Sequence, residues 1–89
     1  MIDPHARPQV ATMYRLQFEP AQDGWVLLYP EGMVKLNRSA GEILSRCDGR
    51  ADLAAIVAQL ELAFGASHLR PEVEKFLEIA AGNRWVVLA

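Results

Sequence analysis

The sequence predicts a small α+β domain of winged helix-turn-helix type, a three-stranded antiparallel sheet followed by three helices, on the strength of three observations. From Tyr14 the chain alternates strictly, with Tyr14, Leu16 and Phe18 on one side and Arg15, Gln17 and Glu19 on the other. Two further apolar segments follow, separated by the breakers Pro20–Gly24 and Pro30–Gly32. Beyond Asn37 the apolar spacing changes from two to i, i+3, i+4, and it keeps that helical period through three segments. At 89 residues the chain is long enough for one core and too short for two.

Residues 1–13 carry Pro4 and Pro8 and show no period, so they are expected to form a loose, flexible arm ahead of a single domain over residues 14–89. Residues 14–19 read as a half-buried strand. Trp25-Val26-Leu27-Leu28-Tyr29 is nearly all apolar, the pattern of a central strand buried on both faces. Pro30-Glu31-Gly32 is expected to close a hairpin, with proline presetting the first turn position and the glycine taking a positive φ beside a bulge. In the strand after it, Met33 and Lys35 face one way and Val34 and Leu36 the other.

Asn37 or Ser39 starts the first helix, Ser39 and Glu42 having the spacing of a capping box, and Ala40, Ile43, Leu44 and Cys47 form its apolar stripe. Gly49 is available for a left-handed cap, and only about four residues then lead to the next helix. That helix opens at Asp52, buries Leu53, Ile56, Val57, Leu60 and Phe64, and stops at Gly65. A third begins near Pro71, carries Val73, Phe76, Leu77 and Ala80 on one stripe, and ends at Gly82 or Asn83. The apolar tail Trp85–Leu88 is expected to cover the core rather than to add a strand.

The formal charge of −2, with no basic stripe, argues against phosphate backbones and anionic lipid as partners. No segment approaches the roughly 18 apolar residues of a membrane span, and no signal peptide is visible, so a cytoplasmic protein is expected. His5 and His68 have no Cys, Asp or Glu at ligand spacing, and neither a metal nor another cofactor is expected. Cys47 sits on an apolar stripe, where burial raises its pKa and makes the thiol inert. Glu72, Glu74 and Glu78, with Lys75, read as the water-facing side of a helix. Catalysis by this chain is not expected. A winged-helix DNA-binding domain is the alternative, opposed by the acidic third helix.

What remains is a strand edge. In a three-stranded meander, Met33–Leu36 lies outermost and presents unpaired amides and carbonyls to an extended peptide. A groove between this strand and the third helix takes the guest's apolar side chains, and Lys35 attracts an acidic one. Val34→Pro, which removes a strand amide, is the expected way to abolish such binding.

The residues that carry this architecture also carry a resemblance. Arg15-Leu16-Gln17, Leu27-Leu28-Tyr29-Pro30-Glu31-Gly32, Leu36-Asn37, Ala40, Ile43-Leu44, Cys47-Asp48-Gly49 and Phe76-Leu77, in this order and spacing, are similar to the PqqD family of pyrroloquinoline quinone (PQQ) biosynthesis. The resemblance spans most of residues 14–77. It implies a non-catalytic peptide chaperone that binds the ribosomally made precursor PqqA by strand addition and delivers it to the radical S-adenosylmethionine enzyme PqqE. The implied peptide-binding residues are Met33, Val34, Lys35 and Leu36 of the strand and Val73, Phe76, Leu77 and Ala80 of the helix. Asn37, Asp48 and Gly49 are structural on this reading. A free edge and a loose arm also allow a homodimer by exchange of elements.

Overall fold

The computed structural model describes residues 1–89 and contains, in chain order, β1 (Pro8–Val10), β2 (Arg15–Glu19), β3 (Gly24–Tyr29), β4 (Gly32–Leu36), α1 (Arg38–Ser45), α2 (Leu53–Phe64), α3 (Arg70–Gly82) and β5 (Val86–Leu88). The main sheet is antiparallel in the order β2-β3-β4, so the fold class is the expected one and β3 is the central strand. Its cross-strand rows Leu16–Leu27–Val34 and Phe18–Trp25–Leu36 turn toward the helices. Adjacent Val26 and Leu27 are both buried, as a central strand covered on two faces requires.

The core lies between this sheet and the helices. Leu27, Leu44, Leu53, Ile56, Leu60 and Leu77 are essentially without exposed surface, and each is worth about 1.5–3 kcal/mol of apolar burial. Asp52 caps α2 by accepting from the Ala55 N–H at 2.9 Å, and Gly65 ends it at φ 60°. In α3, Pro71 stands in the first turn and Asn83 is the C-cap, as its sequence pattern predicts. Trp25 lies flat against Gly41 of α1, where a Cβ would overlap the indole.

Several local expectations are corrected. Residues 1–13 are folded onto the body rather than loose. Pro8–Val10 pairs antiparallel with Val86–Leu88, and Ile2 is buried in the core. Main-chain bonds hold this segment: the Leu53 and Ala54 amides, unpaired donors at the start of α2, reach Ala6 O at 2.9 Å and Pro4 O at 3.1 Å. Bonds of this kind leave no period in the sequence. The tail is therefore a strand, with only Val86 covering the core.

Cys47-Asp48-Gly49 is not the cap of α1, whose C-cap Arg46 is right-handed. Gly49 is left-handed (φ 80°) further on, and its N–H donates to Pro8 O at 3.0 Å while Cys47 O accepts from Val10 N–H at 3.2 Å. The segment Arg46–Asp52 is thus longer than expected because it also clamps β1 from the side opposite β5. Asp48 braces the turn by accepting from the Arg50 and Ala51 amides at 2.8 and 3.1 Å, which hold its carboxyl below the usual range.

Candidate functional site

β4 is an outer strand, and the turn before it decides which of its groups are free. Tyr29 pairs with Gly32 across the two residues Pro30 and Glu31, and the register continues unbroken through Leu27–Val34 to Trp25–Leu36. There is no bulge, and Gly32 does not have the expected positive φ. In a two-residue hairpin the closing pair exchanges its hydrogen bonds, and every second pair after it does the same. Gly32, Val34 and Leu36 therefore bond inward to β3, while the amides and carbonyls of Met33 and Lys35 point away from the sheet. None of the main-chain hydrogen bonds outside the ladders involves Met33 or Lys35. The Val34 amide is thus a ladder donor, and Val34→Pro tests the hairpin rather than the edge.

Side chains alternate independently of this. Val34 and Leu36 are half-buried against the core, whereas Met33 (49% exposed) and Lys35 lie on the outer face. β4 ends at Asn37, whose Oδ1 accepts from the Ala40 N–H at 2.8 Å and starts α1. Asn37 is the N-cap, so the Ser39–Glu42 capping box is not used. Glu42 pairs instead with Arg46 at 2.9 Å.

An apolar cleft of about 360 Å³ opens beyond Asn37. Ala40 and Ile43 of α1, Leu60 and Phe64 of α2, and Val73 and Phe76 of α3 form its walls, with Glu72 at the same site. It is a cleft among three helices that meets the strand only at Asn37, and not the simple groove between β4 and α3 that the sequence suggests. Of the four expected α3 residues, Val73 and Phe76 line it. Leu77 and Ala80 have no exposed surface and hold α3 against the core.

Arg38 and Phe64 were not singled out by the sequence. The Arg38 guanidinium lies 5.3 Å from the Phe64 ring centroid, a cation–π contact that ties the start of α1 to the end of α2 at the cleft. The residues are 26 positions apart and no local pattern connects them, though Phe64 at the last turn of an apolar stripe, next to Gly65, was the available hint. Cys47 is buried, donates to Ile43 O at 3.3 Å, and has its pKa pushed up to about 12 by burial first and by Asp48 second. It faces no cleft and is an inert thiol.

This frame and its open edge define a small α+β domain of the winged-helix class. A family model described as coenzyme PQQ synthesis protein D (PqqD) matches residues 24–86. The chain is 52% identical over 77 residues to a protein of Pseudomonas fluorescens Pf-5 named PqqA binding protein, covering 85% of each. It is 54% identical over 82 residues to the protein of that name from Pseudomonas aeruginosa PAO1, covering 91% of this chain and 89% of the relative. This chain belongs to the PqqD family. Its fold also matches the solution structure of the PqqD truncation of Methylobacterium extorquens PqqCD, described as a functional and stand-alone recognition element for ribosomally synthesized and post-translationally modified peptides. The TM-score is 0.79 at 23% identity, over 98% of this chain and 95% of that one. That likeness concerns the fold.

Proposed function

We propose that this chain is a non-catalytic binding module of PQQ biosynthesis that takes a precursor peptide of the PqqA type as an added strand on β4. The carrying observation is the register: Met33 and Lys35 present two outward amide–carbonyl sets on an edge strand, the arrangement that strand addition uses. Relatives that share half of their residues with this chain are named PqqA binding proteins, which supports the peptide as the guest.

Main-chain bonds give affinity with little sequence preference, and the guest segment that runs past Asn37 meets the apolar cleft, which selects side chains. Val73 and Phe76 are the α3 contacts on this reading, with Leu77 and Ala80 supporting them. Arg38 and Lys35 favour an acidic guest residue near the cleft mouth. The bound peptide is then presented to the radical S-adenosylmethionine enzyme PqqE, whose chemistry this chain does not perform.

An amide chemical-shift titration with the synthetic precursor peptide tests this. Shifts concentrated at Met33–Asn37 and around Val73 and Phe76 are the expected result. Saturable binding with shifts only elsewhere, or no shifts at high peptide concentration, would overturn the proposal.

A further inference from the structure

The main sheet has a second outer strand, β2, and its groups sort by the same logic. Trp25, Leu27 and Tyr29 of β3 bond to β4, so Gly24, Val26 and Leu28 bond to β2 through Glu19, Gln17 and Arg15. The amides and carbonyls of Leu16 and Phe18 therefore point outward, and none of the hydrogen bonds outside the ladders involves them. Phe18 is 42% exposed although it stands edge-on to Trp25.

The charges on this strand are arranged unusually for an edge left to solvent. Arg15 and Glu19 lie on its outer face, four residues and roughly 13 Å apart, too far to pair with each other. Neither has an ion-pair partner within the chain. Gln17 stands midway, donating from Nε2 to Glu19 Oε1 at 2.6 Å.

We infer that β2 is an interaction surface for a second copy of this chain, through antiparallel β2–β2 pairing about a two-fold axis at Gln17. In that register Leu16 of one copy lies opposite Phe18 of the other, so all the outward amides and carbonyls of both strands find partners. Arg15 then lies opposite Glu19 twice, at non-hydrogen-bonded pairs, where facing side chains are nearest. Shifting the register by one residue would set inward-bonding residues against outward ones and separate the charges. The strand RLQFE thus reads the same chemistry from either end, as an isologous contact requires. No element is exchanged. The product is a continuous six-stranded sheet with a β4 edge at each end, both free for a guest. Strands this short bury little area, so the dimer is weak and concentration-dependent. The inference rests on β2 alone and does not depend on the peptide reading.

Two charge reversals test it. Arg15→Glu and Glu19→Arg each place like charges opposite one another twice in their own dimer, yet in a mixed dimer both rows become complementary. In sedimentation equilibrium each variant alone is expected to dimerise roughly tenfold or more weakly than the parent, and the equimolar mixture to regain parental association. Amide shifts of the parent on dilution should be confined to residues 15–19 and their β3 neighbours. A parent that stays monomeric up to its solubility limit, or a mixture no more associated than either variant alone, would overturn the inference. So would concentration-dependent shifts at β4 or β5 in place of β2.

Discussion

Trp25 and Gly41 are in direct face-to-backbone contact: the indole lies where the Cβ of any other residue at 41 would stand, overlapping its Cβ, Cγ and Cδ1. This contact seats α1 on the main sheet, and α1 in turn carries Ala40 and Ile43 into the cleft wall. An alanine here would normally favour a helix by up to about 1 kcal/mol, so the sign of the substitution reports which effect wins. The obstruction is the root of a large, partly buried side chain and not a flexible tip. We expect Gly41→Ala to destabilise by about 1–3 kcal/mol in urea unfolding. A stabilised variant would mean that the indole has room to move.

Proline substitutions separate the two sides of β4. Lys35→Pro removes an outward amide and leaves the ladder to β3 complete, so the protein should fold with near-parental stability and lose most of its affinity for the peptide. Val34→Pro removes an inward bond and should destabilise the hairpin by about 3 kcal/mol. Unfolding curves and peptide titrations of both variants are the check; unchanged binding by Lys35→Pro would exclude strand addition at this edge.

The amino-terminal segment is predicted to contribute to stability. Ile2→Ala removes a nearly fully buried side chain from the core cluster and loosens the chain that satisfies the first amides of α2. Chemical denaturation should show a loss of about 2 kcal/mol or more, at the lower part of the usual range because a site near a chain end can relax. An effect below about 0.5 kcal/mol, the scale of an ordinary surface substitution, would show that the segment does not pack as described.

Cys47 makes stability depend on alkaline pH. Its thiol has an ordinary value of 9.0 and is pushed up to about 12 in the fold, so between these values the folded state holds a proton that the unfolded chain has released. The contribution is fully present below pH 9 and is lost as pH rises toward 12, with a slope of up to about 1.4 kcal/mol per pH unit. The difference between the parent and Cys47→Ala, measured by urea unfolding across that range, isolates it from other titrations. A difference that stays flat with pH would contradict the burial of the thiol.

The parts legible in the sequence are those whose causes lie within a few residues. Alternation over 14–19, the apolar run of the central strand, the caps Asp52 and Gly65, and the stripes of α2 and α3 all follow from side-chain period and local hydrogen bonding. Those same features placed the candidate edge at Met33–Leu36. Which amides that edge presents depends on whether the turn before it holds two residues or a bulge. That single residue of register exchanged the roles of Val34 and Lys35.

Only the tertiary structure decided the rest. A stripe marks Val73, Phe76, Leu77 and Ala80 as one face, but α1 and α2 determine that two of them line a cleft and two are sealed in the core. The pairing of Pro8–Val10 with Val86–Leu88, the bracing of β1 by Cys47–Gly49 and the Arg38–Phe64 contact join residues far apart in the chain. Main-chain bonds of this kind accept almost any side chain, and so the sequence by itself determined the elements and the edge while long-range packing determined what they close upon.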